Sequence, residues 1–204
     1  MKKTNTGFSI IEVLVGMLIF SLGLVAVLVL IFSSMNLNDY NKNYIIASNL
    51  AREQIELVKN IRDSNYNTIH NWNQIDYLGN YEDVTNYFST GTYYTLENDF
   101  ATPDNPIIVK KIENFGEGIN ELNNKMKSYK LCLDNKNRYT YDCSGINKQT
   151  KFYRYLYVDN LNYSSGATTY IVPDAFVLKS KVIWYIRGYH EVELKTILTD
   201  WKRL

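Results

Sequence analysis

The segment that decides the fold is residues 7–32, GFSIIEVLVGMLIFSLGLVAVLVLIF. From Phe8 to Phe32 its only strongly polar side chain is Glu12. As an α-helix these 25 residues extend about 37 Å, which crosses a bilayer of about 30 Å with some tilt. The segment therefore predicts a membrane-spanning helix with one carboxylate near its N-terminal end.

Two other interpretations of this segment fit less well. A buried core helix rarely stays apolar on every face over such a length. A secretory signal peptide has an apolar region of about 7–15 residues and then a small-x-small cleavage site, but here the apolar run is longer and residues 35–37 read MNL. Lys2 and Lys3 precede the span and the next basic residue is Lys42. The N-terminus is therefore expected in the cytoplasm and the rest of the chain outside the cytoplasmic membrane.

The length, net charge and composition of the chain argue against several classes of function. The chain has 204 residues, which suits one domain plus an anchor, and a formal net charge of +1. Bulk charge therefore gives no support to nucleic-acid binding. With two cysteines and with His70 and His190 isolated, a four-ligand zinc site is not expected. No GxSxG, P-loop, HExxH or CxxC motif occurs, so we expect no enzyme activity, no cofactor and no metal.

A short basic leader precedes Gly7-Phe8-Ser9-Ile10-Ile11-Glu12-Val13-Leu14 and the apolar helix. This arrangement resembles the prepilin signature of type IV pilins and type II secretion pseudopilins. The resemblance implies cleavage between Gly7 and Phe8 by a prepilin peptidase, followed by N-methylation of Phe8. It implies that Glu12 is the assembly carboxylate, which pairs with the Phe8 amine of a neighbouring subunit. The implied partners are other pilins or pseudopilins, the peptidase and an inner-membrane assembly platform.

The spacing agrees with these roles. Phe8 and Glu12 are one helical turn apart and share a face. A carboxylate buried among helices needs a cation, and the amino terminus of another subunit supplies one. A Glu merely tolerated at the membrane edge is the alternative. Gly16 and Gly23 allow close helix packing, although their spacing is not GxxxG.

After Ser34 the helix is predicted to continue but to become amphipathic. Apolar residues step by three or four along one face: Leu37, Tyr40, Tyr44, Ala47, Ala51, Ile55, Val58 and Ile61. A free coiled coil is disfavoured because the period lasts under four heptads. The predicted organisation is a leader at 1–7, a transmembrane or filament-core helix at 8–33, an amphipathic half at 34–63 and an extracytoplasmic globular head at 64–204.

Two further stretches resemble minor pilins and minor pseudopilins. They are residues 49–63, at the end of the helix, and residues 196–201, a final strand that runs into a Leu-Thr-x-Trp tail. Many pilins carry a proline in the middle of the span, but the first proline here is Pro103. The absence argues against a locally melted helix.

The head is predicted to contain an antiparallel sheet. Residues 65–121 are rich in turns and read as a variable loop with edge strands at 93–96 and 107–112. Residues 153–158, 176–186 and 191–198 read as successive strands, with a turn at Arg187-Gly188. The fold class is therefore α+β: a long N-terminal helix packed on a C-terminal antiparallel β-sheet head, the pilin fold that the resemblance implies.

Residues 129–133 and 138–143 flank a polar turn and predict a β-hairpin. Cys132 and Cys143 meet in such a hairpin, and outside the cytoplasm a disulfide is favoured over two free thiols. Asp134, Asn135, Asn137 and Asp142 suggest calcium, but basic residues stand at alternate positions where oxygen ligands are needed.

The same hairpin supplies the best candidate for a nucleic-acid patch. Its basic residues lie near Tyr129, Tyr139 and Tyr141, and they are Lys125, Lys127, Lys130, Lys136 and Arg138. A solvated hairpin face is the simpler interpretation, given the near-neutral chain.

The sequence favours a structural and assembly subunit, a minor type IV pilin or pseudopilin that enters a filament or sits at its tip. The alternative is a DNA-binding or adhesive tip pilin. A membrane-anchored extracytoplasmic enzyme has no motif in its favour. Pilus and secretion system remain open alternatives.

Overall fold

The computed structural model describes residues 7, 9–75, 86–98, 107–122, 124–166 and 168–202. The chain divides into two compact units, Met1–Asn43 and Tyr44–Leu204. The described part of the first unit is mainly the N-terminal part of one long helix. The second unit, the head, contains the rest of that helix and an antiparallel sheet.

The helix, α1 (Ile10–Asn67), is continuous through both units. Its first part is long and apolar enough to cross a membrane, by length and composition, and is not buried in the protein. The unbroken helix agrees with the absence of a proline from this segment.

Within the head, α1 buries one face. The predicted apolar face is buried over its C-terminal part, at Ala47, Ala51, Ile55, Val58 and Ile61. Leu37, Tyr40 and Tyr44, on the same predicted face, are exposed. The first residue of this face that packs into the core of the head is Ala47.

The helix also ends later than predicted, at Asn67 instead of residue 63. Asn65 is fully buried and its side-chain amide donates to the Gln74 carbonyl at 2.7 Å. The Tyr66 hydroxyl donates to the Thr199 carbonyl at 3.1 Å. These tertiary contacts stabilise a last turn whose residues are weak helix formers on their own.

Within the described residues, the sheet of the head has seven antiparallel strands: β1 (Thr92–Asn98), β2 (Ile107–Lys111), β3 (Lys130–Leu133), β4 (Tyr139–Thr140), β5 (Lys148–Ser165), β6 (Thr168–Tyr185) and β7 (Tyr189–Thr199). All seven predicted strand segments, including the two of the hairpin, overlap these strands, and the α+β prediction is confirmed. Two short 3-10 turns, Ile119–Glu121 and Lys125–Tyr129, precede β3.

The long strand β5 is the centre of the sheet. β6 pairs along one of its edges and continues the sheet to β7. On the other edge, β3 and then β1 pair with successive parts of β5. β1 was predicted to be an edge strand, and this was wrong because it lies between β5 and β2. The interior position fits its buried residues, Tyr94 to Leu96.

Both faces of the sheet are covered. On one face, α1 packs against side chains such as Leu156, Leu178 and Val182. On the other face, residues 112–129 cover Tyr153, Tyr155 and Ile183. Successive residues of β5 are therefore buried on alternate sides, which explains the nearly continuous apolar and aromatic run at 152–158.

Candidate assembly site

The first turn of α1 carries the segment that the sequence singles out. The Ser9 carbonyl accepts hydrogen bonds from the backbone N–H groups of Glu12 at 3.0 Å and Val13 at 3.2 Å. Gly7 precedes the helix and is exposed, whereas Phe8 lies outside the described residues. Glu12 is exposed in the first helical turn, where the helix dipole favours a carboxylate.

The rest of the span presents apolar side chains on every side. Large residues from Ile10 to Phe32 have between 43% and 82% of their surface exposed. At Gly16 and Gly23 an added Cβ would meet no atom within 4 Å, so neither glycine is needed for packing inside this chain. A surface of this kind is typical of a helix that contacts lipid or other apolar protein surfaces.

A comparison with protein-family models gives one finding. The prokaryotic N-terminal methylation motif matches residues 2–28. The chain therefore carries the prepilin signature of type IV pilins and pseudopilins, and its long helix packed on an antiparallel sheet matches the pilin α+β fold. The motif marks structural subunits of the pilin type, which are not enzymes. Comparisons with curated proteins and with solved structures give no match.

The head carries the predicted disulfide hairpin. β3 and β4 pair antiparallel, and Cys132 and Cys143 form a disulfide with a Cα–Cα distance of 5.3 Å. One oxygen of Asp134 accepts the backbone N–H groups of Lys136 and Arg138, both at 2.8 Å. Hydrogen bonding from the Arg138 backbone holds the pKa of Asp134 below its usual value. Asp134 therefore shapes the turn.

The structure separates the five residues of the predicted basic patch. Lys136 and Arg138 border a groove that also contains Glu97 and Asp142. Arg138 forms an ion pair with Asp134. Lys130 donates to the Gln149 side chain at 2.8 Å. These three residues therefore lie among neutralising or hydrogen-bonding groups.

The remaining two patch residues lie in a second groove, of about 680 Å³. There Lys125 and Lys127 meet Lys110 and Lys111 from the end of β2, and all four are exposed. We name these four residues the lysine groove. Within the described residues none of the four ammonium groups has an ion pair or a hydrogen bond, and Glu113 is the acidic residue of the lining. Sequence analysis missed Lys110 and Lys111, although a lysine pair at a strand end was visible.

Two of the three tyrosines of the predicted patch, Tyr129 and Tyr141, are not available as a stacking surface. Tyr129 is fully buried, and its hydroxyl donates to the Gly116 carbonyl. Tyr141 is partly buried, and its hydroxyl donates to the Arg154 carbonyl at 3.1 Å. Burial raises the pKa of both Tyr129 and Tyr141. The lysine groove therefore offers charge without the aromatic platform that the sequence suggested.

A buried arginine, also missed by sequence analysis, joins the helix to the sheet. Arg154 on β5 is fully buried. It donates to Glu53 Oε2 at 3.0 Å, the Leu50 carbonyl at 3.3 Å, the Leu96 carbonyl at 2.8 Å and the Tyr141 hydroxyl at 2.9 Å. Burial lowers the pKa of Arg154, but Tyr141 and Glu53 together leave it raised. One sign of this network was visible in the sequence: Arg154 is the single basic residue in the apolar and aromatic run at 152–158, FYRYLYV.

On the opposite face, Glu117 fastens the covering segment to the sheet. Its carboxylate accepts hydrogen bonds from Tyr155 at 2.9 Å and from Tyr189, and Lys181 lies 3.5 Å away. Burial and the neighbouring Glu117 carboxylate raise the pKa of Tyr155. These contacts hold residues 112–122 against β5, β6 and β7.

Proposed function

We propose that this chain is a minor type IV pilin or pseudopilin, a structural subunit that is inserted into a filament or sits at its tip. The observation that carries the proposal is the methylation motif at residues 2–28, which leads directly into an exposed apolar helix. The sequence resemblance at residues 49–63 and 196–201 supports the minor subclass. Pilus and secretion filament are equally compatible with the proposal.

In the proposed pathway the precursor crosses the cytoplasmic membrane once, with its N-terminus inside and its head outside. Prepilin peptidase cleaves between Gly7 and Phe8, and the new Phe8 amine is methylated. An inner-membrane assembly platform then moves the subunit into an extracytoplasmic filament of other pilins or pseudopilins.

Glu12 has a defined task in this pathway. An ionised carboxylate costs about 2.5 kcal/mol or more at the centre of a membrane helix on insertion scales, and less near the end of the span, where Glu12 lies. Removal of residues 1–7 creates a cationic amine one helical turn before Glu12 in every subunit. Pairing of Glu12 with the Phe8 amine of a neighbour offsets this cost only in the assembled state. The carboxylate therefore favours assembly over the free subunit in the membrane.

Mass spectrometry of the mature protein tests the processing step. The expected N-terminus is Phe8 with one added methyl group. Recovery of an intact Met1 from cells with an active prepilin peptidase would contradict the proposal.

The role of Glu12 is tested with Glu12→Ala, and Glu12→Asp serves as the matched control that keeps a carboxylate. Cleavage at Gly7 should persist in both variants. Glu12→Ala should be lost from filaments, and Glu12→Asp should retain part of the wild-type incorporation. Normal incorporation of Glu12→Ala would refute the assembly role.

A second candidate function, binding of nucleic acid by the head, is favoured by the lysine groove alone. Within the described residues the four lysines that line this groove form no salt bridge, although Asp142 interacts electrostatically with Lys110. Together the four lysines can contact successive phosphates without reading base sequence. If all four contact phosphate, the logarithm of the association constant should fall with the logarithm of salt concentration at a slope of about −3.6.

Charge reversal separates the lysine groove from basic residues outside it. Lys110→Glu with Lys125→Glu should abolish duplex DNA binding by the full chain in detergent. The control pair, Lys136→Glu with Lys148→Glu, makes the same change in net charge outside the groove and should bind nearly as the wild type. Equal loss in both pairs, or no binding by the wild type, would reject this candidate.

A further inference from the structure

One sequence motif has no part in the proposed function. Residues 162–164 read Asn-Tyr-Ser, which is the only Asn-x-Ser/Thr triplet among the 204 residues. Such a triplet, a sequon, is the acceptor signal for N-glycosylation when its middle residue is not proline and when it lies on the surface of a protein outside the cytoplasm. The triplet is short, so its structural setting decides whether it can serve as an acceptor.

The sequon lies where the sheet narrows to two strands. Residues 162–165 of β5 pair with residues 168–171 of β6 and form a ribbon. β1 pairs with β5 only as far as Val158, and β7 pairs with β6 only from Ala175 onward. All eight residues of the ribbon are exposed. Within the described part of the head, both faces of the ribbon are therefore open to an approaching enzyme.

Strand geometry puts the two side chains that define the sequon on one face. Residues two apart along a strand point to the same side, so Asn162 and Ser164 project together and Tyr163 projects to the other face. Across the ribbon, Asn162 pairs with Ile171 and Ser164 pairs with Thr169. The hydroxyl oxygens of Ser164 and Thr169 are 3.4 Å apart, whereas the Asn162 side chain has no hydrogen-bond partner among the described residues. The acceptor nitrogen is thus exposed and uncommitted.

The ribbon can release the sequon from its partner strand. An enzyme that modifies an asparagine must take the acceptor peptide into its own active site as a single strand. A two-stranded ribbon without further packing is only marginally stable in water, so it can open locally while the rest of the sheet stays intact. The pairing is also interrupted between Asn160↔Phe176 and Asn162↔Ile171, which uncouples the ribbon from the rest of β5 and β6. Opening therefore breaks few contacts of the head.

We propose that Asn162 is an N-glycosylation site. The inference rests on the proposed function, because that function places the head outside the cytoplasm. The sugar donor is of the polyprenyl-diphosphate class. Asn162 Nδ2 forms a bond to the anomeric carbon of the sugar, and the bond from this carbon to the diphosphate oxygen breaks, so that the electron pair leaves with the diphosphate. The amide nitrogen gives one proton to a base of the transferase, and the Ser164 hydroxyl is the group that the transferase recognises.

The sugar lies beside an exposed apolar side chain. Ile171, directly opposite Asn162, has 62% of its surface exposed. Cβ atoms of directly opposite residues are about 4.5–5.5 Å apart, so a sugar on Asn162 reaches the side chain of Ile171. Contact with the sugar removes part of this apolar surface from water and stabilises the ribbon.

Mass spectrometry of the full chain, isolated from its own cells, tests the site. In the wild type the peptide that contains Asn162 should carry a sugar, and Asn162→Gln and Ser164→Ala should each abolish it. Ser164→Thr keeps the sequon and should keep the sugar. The matched control is Asn160→Gln, which makes the same substitution on the same strand outside any sequon and should also keep the sugar.

An unmodified Asn162 in the wild type would overturn the proposal. A sugar that persists in Asn162→Gln would overturn it as well, because the modification would then be on a different side chain. Thermal unfolding of the full chains in detergent shows which variants are folded, and if Asn162→Gln is not, Ser164→Ala decides. The same spectra report the N-terminus. A methylated Phe8 with an unmodified Asn162 removes only the glycosylation site, whereas an intact Met1 contradicts the proposed function whatever the state of Asn162.

Discussion

Replacement of Arg154 by methionine tests whether the buried network fastens the helix to the sheet. Methionine keeps a similar length and removes the charge and all donors. The four acceptors of Arg154 come from α1, from β1 and from Tyr141 beside the hairpin, so a single change disconnects three parts of the head.

The size of the effect follows from what each partner loses. Removing one member of a buried ion pair costs about 3–5 kcal/mol when the other charge stays buried. Glu53 keeps 39% of its side chain exposed and can return to water, which reduces the cost. The Leu96 carbonyl loses its donor in the core, at about 1–3 kcal/mol. Relief of burying a guanidinium offsets part of this loss. We expect Arg154→Met to lower the free energy of unfolding by about 2–4 kcal/mol.

The assay is urea unfolding of the full chain in detergent, followed by tryptophan fluorescence, since Trp72 and Trp184 are buried in the head. Arg52→Met is the matched control, because Arg52 lies exposed on the same helix and its loss should change stability by under about 0.5 kcal/mol. Combination of Arg154→Met with Glu53→Gln should cost less than the sum of the single changes. Additive losses, or a loss for Arg154→Met equal to that of Arg52→Met, would refute the role of the network.

Three further predictions concern the head. Burial, together with hydrogen bonding to a carboxylate, raises the pKa of Tyr66 to about 12. The contribution of Tyr66 to folding stability is therefore present below about pH 10 and lost as the pH rises through 12. Tyr66→Phe should flatten the loss of stability over that range, and coinciding alkaline unfolding curves of the two proteins would contradict this prediction. Reduction of the Cys132–Cys143 disulfide should lower unfolding free energy by about 3 kcal/mol, measured by urea unfolding with and without dithiothreitol; a difference below the fitting error would contradict it. Ile69→Asn should raise stability by about 1 kcal/mol, because asparagine tolerates the left-handed backbone, and a lower melting temperature would oppose this explanation.

Much of the fold could be predicted because its signals are local. The span is long and uniformly apolar, the helix face repeats every three or four residues, and the turns at 134–138 and 187–188 contain residues suited to them. The strand pairs around these turns are close in sequence. The N-terminal motif, the helix and two of the hairpins were therefore found from the residues alone.

The rest depends on contacts between distant residues. Residues 162–165 and 168–171, the end of β5 and the start of β6, lack apolar alternation and therefore resemble a loop in sequence. Only their pairing with each other, from Asn162↔Ile171 to Ser165↔Thr168, makes them a two-stranded ribbon. Residues 112–129 give no sign that they cover the second face of the sheet. The lysine groove combines residues 110–111 with residues 125–127, which tertiary folding alone brings together.

The junction at the base of the ribbon has an evolutionary consequence. Between the pairs Asn160↔Phe176 and Asn162↔Ile171, one residue of β5 stands opposite four residues of β6, at 172–175. The Asp174 carbonyl accepts the backbone N–H of Asp200 at 2.9 Å, which ties this junction to the end of β7. Everything beyond the junction can be lengthened, shortened or replaced without a register change in the sheet. The paired ends of β5 and β6 can therefore change in length and sequence during evolution while the helix α1 and the core of the head stay the same.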